Sequence, residues 1–391
     1  MAIPIVVRRY QERITITMKQ FVNFEDGIAF HGNTERIAKV LKKAENGNPI
    51  TLGYLGGSIT QGSLSSTPDT CYAAMTTKWW REQYPQAEIT YVNGGIGGTT
   101  SQFGAARVES DILAYEPDFV VIEFSVNDDN NLFFRETYEG LVRKVYTSKT
   151  APAVLLVHNI FYEDGRNAQD QHETIGRYYN IPCVSMKTSV YQAIAHGKIA
   201  VRDVTPDDLH PNDAGHALLA NLITNFLAKV QKEEVPTVTD TERAAEVLPK
   251  PITANAYQNS VRYQVYNSKP ELKGFVADNA EQKHITDIFK RGFIGTKKGD
   301  SIRFEVEGTG IAVQYRKSVK HPACVAKVVL DGDEESAMVL DGNFDETWGD
   351  CLYITTVAKH IEEKKHTVEI TITEGDESMV PFYLVSVIGS R

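Results

Sequence analysis

The chain has 391 residues, with 41 Lys and Arg against 51 Asp and Glu for a net charge of −10, and 42% of its residues are hydrophobic and 24% charged. This length predicts two domains, and the composition is that of a globular protein with a sizeable core, which excludes fibrous, disordered and small-scaffold classes. An acidic balance without a Lys/Arg block argues against nucleic acid or an anionic membrane as partner, because phosphate contacts need clustered cations.

No stretch reaches the roughly 18 uncharged residues of a membrane span. The start, an apolar run from Ile3 to Val7 followed by charge, reverses the order of an export signal. Cys71, Cys183, Cys324 and Cys351 are scattered without a C-x-x-C pair, so neither a zinc site nor a redox motif is indicated. Reduced thiols and a cytoplasmic location are the expectation.

Residues 13–22 alternate through Ile14, Ile16 and Met18 and predict a strand. Asn33 then caps a helix with the stripe Ile37, Val40, Leu41 and Ala44, completing a lead-in over residues 1–48. Short apolar runs follow at 50–55, 89–92, 119–124, 154–157 and 181–184, and they read as strands. Between them, helices are predicted at 72–84, 101–115 and 138–146, with a closing helix over 213–230. Five βα units of this kind make a doubly wound α/β domain with a parallel sheet.

Residues 236–251 hold charge, Thr and Pro236, Pro249 and Pro251, and read as a linker after a first domain of 1–235. Beyond it, over 252–391, the period is 2: Ile302, Phe304 and Val306 alternate with Arg303, Glu305 and Glu307, and Val368, Ile370 and Ile372 alternate with polar residues. An all-β sandwich of jelly-roll type is predicted.

The chemistry lies in four loops at strand C-terminal ends, where α/β sheets keep their ligand sites. The first strand runs into Gly56-Gly57-Ser58, the second ends in Asn93-Gly94-Gly95-Ile96-Gly97-Gly98, the third in Ser125-Val126-Asn127-Asp128, and the last loop is Asp207-Asp208-Leu209-His210. A serine becomes a nucleophile when a histidine takes its proton and a carboxylate orients that histidine, and the resulting oxyanion needs aimed donors.

These four blocks, in this order, resemble the SGNH or GDSL hydrolase family over residues 50–230. The resemblance implies a three-layer αβα fold with a flavodoxin-like sheet. It implies Ser58 as nucleophile, His210 as base and Asp207 as the carboxylate behind it, with Asp208 as the competing candidate. The oxyanion donors would be the backbone N–H groups of Ser58 and Gly98 and the Asn127 side chain. Two positions depart from the family pattern. Gly57 stands where an Asp is usual, leaving more space beside the nucleophile, and Ser125 stands where a Gly is usual. No cofactor or metal is called for.

Other residues have weaker claims. Asp128 lies in a polar loop where it can contact substrate hydroxyls. His158 reads as a satisfied loop histidine, His216 as a helix-start residue, and Trp79 and Trp80 as packing. Trp348, within Asn343 to Asp350, is either a sugar-stacking ring or a ring buried under its own loop. The acidic turns at 331–335 and 341–350 offer oxygens of the kind Ca²⁺ takes and are equally ordinary turns of an acidic protein.

The two-domain architecture resembles carbohydrate esterases with a sugar-binding module, of the acetylmannan esterase type. It implies a serine esterase that removes O-acetyl groups from oligosaccharides. The alternatives are a general short-chain esterase or thioesterase with a structural β-domain, and a carbohydrate-binding protein with an inactive remnant of the first domain.

Overall fold

The computed structural model describes residues 18–233 and 248–391, which divide near residue 254 into two compact units. Most of the strand expected over 13–22 therefore lies outside the described residues. Its last part, from Met18, forms a helical turn instead.

The first unit is built on a six-stranded sheet: β1 (Ile28–Phe30), β2 (Ile50–Gly56), β3 (Ile89–Gly95), β4 (Phe119–Glu123), β5 (Ala153–His158) and β6 (Cys183–Ser185). Their spatial order is β1-β6-β5-β4-β2-β3. All pairs are parallel except the edge strand β1, which runs antiparallel to β6. The parallel part is the flavodoxin-like order, with the chain reversing its direction of travel across the sheet after β3. β4 and β5 are buried along their whole length, as strands covered on both faces must be, which is why their sequences are continuous apolar runs.

The helices are α1 (Glu35–Glu45), α2 (Ser58–Gln61), α3 (Tyr72–Gln83), α4 (Ser101–Asp111), α5 (Leu132–Tyr146), α6 (Gln169–Tyr178), α7 (Val190–Ala195), α8 (Val201–Val204) and α9 (Asp213–Lys232). Asn33 accepts a hydrogen bond from Glu35 N at 2.8 Å at the start of α1. Trp80 is fully buried, and Trp79 packs against the same core. No helix among the described residues is long and apolar enough to cross a membrane.

The segment expected to be linker behaves differently where it is described. Arg143 donates to Pro249 O at 2.9 Å and Tyr178 Oη to Lys250 O at 2.8 Å. The buried Glu139 carboxylate accepts from the backbone N–H groups of Ile252 and Thr253, each at 2.9 Å. Residues 249–253 are thus fastened to α5 and α6. Residues 234–247 lie outside the described residues.

The second unit is two antiparallel sheets around one core. One runs in spatial order 351–358, 310–317, 382–390, 293–295, 276–277, with 261–263 also on 382–390; the other runs 338–341, 325–330, 364–374, 301–308, 271–273. Ile302, Phe304 and Val306 are buried with Val368, Ile370 and Ile372, while Arg303, Glu305 and Glu307 face out. The period-2 pattern records this one-sided burial.

Candidate active site

Sheet register brings three of the four loops together. Gly56, the last residue of β2, is paired with Gly95 at the end of β3 and Glu123 at the end of β4, so the segments leading to Ser58, Gly98 and Asn127 leave the sheet side by side. The fourth loop does not follow a strand as expected: it lies between the helices α8 and α9, and the Ser58–His210 hydrogen bond brings it to the same edge.

Ser58 opens the short helix α2 and is 8% exposed. Its Oγ lies 2.8 Å from His210 Nε2, and His210 Nδ1–H donates to Asp207 Oδ2 at 2.7 Å. Because Asp207 can only accept, the proton of the neutral imidazole sits on Nδ1, which leaves Nε2 free to take the serine proton. The other Asp207 oxygen accepts from the N–H groups of Leu209 and His210 and from Thr205 Oγ1, at 3.0, 2.7 and 3.2 Å. Burial pushes the Asp207 carboxyl up, but the hydrogen bonds from His210 and Leu209 outweigh it and hold the carboxyl below its ordinary range.

Asp208 faces elsewhere. At φ 66° its carboxylate pairs with Arg202 at 2.8 Å and its carbonyl accepts from Tyr162 N at 2.7 Å. Asn212 completes the loop by capping α9, accepting from Ala214 N and Gly215 N at 3.0 and 3.1 Å.

Two glycines carry steric meaning. Gly98 sits at φ 68°, a left-handed conformation that a side chain would strain. A Cβ on Gly57 would lie 2.2 Å from Asn127 Oδ1. The space expected beside the nucleophile is therefore taken by the Asn127 carboxamide, which packs directly over the peptide preceding Ser58. Ser125, the other departure, gives its hydroxyl to Asn159 O at 3.1 Å and lies 3.4 Å from Glu123 Oε1.

Asp128 does not face substrate as the polar-loop reading expects. Its side chain is fully buried, and its two oxygens are taken by Ser101 N at 2.9 Å and His172 Nε2 at 3.0 Å. His158 is not a satisfied loop histidine either: it ends β5, fully buried, and neither ring nitrogen has a hydrogen-bond partner. Burial first, then the neighbouring His172, holds it well below its ordinary pKa and hence neutral. His216 is buried in α9, where Nδ1 accepts from Tyr72 N at 3.3 Å and Nε2–H donates to Ser63 O at 3.2 Å, tying the segment after Ser58 to the helix after His210. Burial lowers its pKa to about 4.

One acid was missed. Glu123, fully buried beneath the Ser58 turn, lies 3.5 Å from Thr60 Oγ1, which also bonds Tyr72 Oη at 2.8 Å. Burial raises its pKa to about 7. The signal was available as an acidic residue closing the apolar run Phe119 to Ile122.

In the second unit Trp348 is 61% exposed, its ring edge-on to Phe344 at 5.1 Å, so it is not buried under its own loop. Among the described residues no group of three or more His, Cys, Asp or Glu side chains is arranged to hold a metal ion.

Comparison with known proteins adds to this geometry. Residues 54–218 match the GDSL-like Lipase/Acylhydrolase family. The acetylxylan esterase of Geobacillus stearothermophilus is 26% identical over 205 residues, covering 44% of this chain and 92% of that protein. Thioesterase 1/protease 1/lysophospholipase L1 of Escherichia coli K12 is 30% identical over 95 residues, covering 24% of this chain and 43% of that protein. A crystal structure of a two-domain esterase active on acetylated mannans is 56% identical with a TM-score of 0.90, covering 94% of this chain and 98% of that one. The same esterase co-crystallised with mannopentaose matches to the same extent.

Proposed function

The chain belongs to the GDSL-like lipase/acylhydrolase family, and from that premise we propose that it is a serine esterase that removes O-acetyl groups from mannan-type oligosaccharides. The observation that carries the reading is the hydrogen-bonded line from Ser58 through His210 to Asp207, at 2.8 and 2.7 Å. The sugar is taken from the two-domain relative that is active on acetylated mannans.

In this mechanism Ser58 Oγ attacks the acetyl carbonyl while its proton passes to His210 Nε2, and Asp207 stabilises the imidazolium through Nδ1–H. The N–H groups of Ser58 and Gly98 and the Asn127 carboxamide N–H hold the oxyanion. Collapse expels the sugar oxygen, which takes the proton back from His210. Water, deprotonated by the same imidazole, then attacks the acetyl-serine, and acetate leaves as Ser58 is regenerated.

The second unit is assigned here to carbohydrate binding, with Trp348 as a stacking ring; its exposed face supports this. A cytoplasmic location is supported by four buried free thiols.

Acetate release from a panel of acetylated manno-, xylo- and chito-oligosaccharides tests the reading, with Ser58→Ala as the blank. Release from the manno-oligosaccharides, lost in the blank, is expected. Hydrolysis of aryl acetates or acyl thioesters with no release from any sugar would overturn it in favour of a general short-chain esterase.

A further inference from the structure

Two of the three oxyanion donors, Gly98 and Asn127, come from loops far apart in sequence, and an oxyanion hole works only if its donors are fixed before the reaction. The question is what locks the Gly98 loop to the Asn127 loop. Gly98 lies three residues before Ser101, the first residue of α4. The residue at the cap position of that helix, Thr100, makes no capping bond, and its buried hydroxyl has no hydrogen-bond partner. The cap is supplied from elsewhere: Asp128 Oδ1, next to Asn127 in the chain, accepts from Ser101 N at 2.9 Å. A carboxylate at this position also meets the positive end of the helix dipole.

The second Asp128 oxygen accepts from His172 Nε2–H at 3.0 Å, within a fully buried pair. His172 is itself held. It lies on α6, its ring is stacked on Tyr138 of α5 with centroids 3.6 Å apart and 3° between planes, and Ala168 at the start of α6 donates its N–H to Ser125 O at 2.7 Å. One carboxylate thus joins α4, α6 and the β4–α5 loop, and the two loops it joins are those that carry Gly98 and Asn127.

We infer that Asp128 is a positioning residue that fixes the Gly98 and Asn127 donors relative to each other, with His172 holding it in place. This rests on the esterase reading above. It differs from a substrate-binding role, because neither Asp128 oxygen is available to a ligand. Asparagine is a near-equivalent here: its Oδ1 still accepts from Ser101 N, and its Nδ2–H donates to a His172 ring whose proton moves to Nδ1, a nitrogen with no partner to lose.

The test compares Asp128→Ala, Asp128→Asn and His172→Phe, the last keeping a flat ring against Tyr138 while removing the donor. Each is assayed on an aryl acetate and on an acetylated oligosaccharide, and with a boronic acid that adds to Ser58 as a tetrahedral mimic of the intermediate. Displaced donors lower kcat by about tenfold to a hundredfold in Asp128→Ala. KM on both esters is expected to stay within about twofold, and boronate affinity to fall in step with kcat. Asp128→Asn recovers to within about threefold of wild type, and His172→Phe falls between. A kcat and boronate affinity in Asp128→Ala equal to wild type would overturn the inference, as would a loss confined to KM for the oligosaccharide. If Asp128→Ala does not fold, the same comparison between Asp128→Asn and His172→Phe decides: equal kcat in the two overturns it. Wild type that cleaves the aryl ester but no sugar ester refutes the proposed substrate and leaves this test intact, whereas wild type inert on both esters refutes the esterase reading and this inference with it.

Discussion

Replacing Glu123 by glutamine removes a carboxyl that the fold holds out of water while keeping its shape and its ability to meet Ser125 and Thr60. In the native protein burial raises its pKa from an ordinary 4.5 to about 7, so the folded state binds its proton more tightly than the unfolded chain does. Stability contributed by the neutral form is then fully present below pH 4.5 and is lost as pH rises through about 7. At about 1.4 kcal/mol per pH unit, this difference amounts to about 3 kcal/mol. Glutamine carries no such penalty. Glu123→Gln should therefore gain about 3 kcal/mol on wild type between about pH 4 and pH 8, with most of the change between pH 5 and 7. Urea unfolding followed by tryptophan fluorescence measures this, in a Trp348→Phe background so that the signal comes from Trp79 and Trp80 of the first unit. A stability difference between the two proteins that stays flat across this range would refute the reasoning, because it would mean that Glu123 titrates alike folded and unfolded.

Asp207→Asn should lose less activity than Ser58→Ala, because the serine, the base and the oxyanion donors remain, whereas Asp208→Asn should stay near wild type, since that carboxylate meets only Arg202; kcat on an aryl acetate ranks the three. If Trp348 stacks on the sugar, Trp348→Ala should raise KM for an acetylated oligosaccharide while leaving hydrolysis of a small aryl acetate unchanged, a stacked ring being worth about 1–3 kcal/mol by analogy with bases on aromatics.

The parallel strands were legible because a strand buried on both faces must be apolar throughout, and three of the four blocks were legible because each follows the end of such a strand, while the fourth lies between two helices. Ser58, His210 and Asp207 could be read as a set, since one loop of four residues carries the last two. What the sequence hid depends on partners distant along the chain. Asp128 looked like a loop acid because Ser101 and His172, which engage it, lie 27 and 44 residues away. α6 went unread because Gln169–Tyr178 is polar almost throughout, its buried face including Gln169, His172 and Gly176. The edge strand β1 is three residues long and pairs antiparallel, so it left neither length nor pattern to find.

The fastening of residues 249–253 to α5 and α6 changes where the first unit ends. Arg143, Tyr178 and Glu139 hold residues 249–253 on the first unit, which therefore ends near residue 254 and not at the close of α9. Lengthening the stretch between α9 and residue 249, whose two ends are both held on the first unit, costs that unit about 0.6 kcal/mol of loop-closure entropy for each doubling.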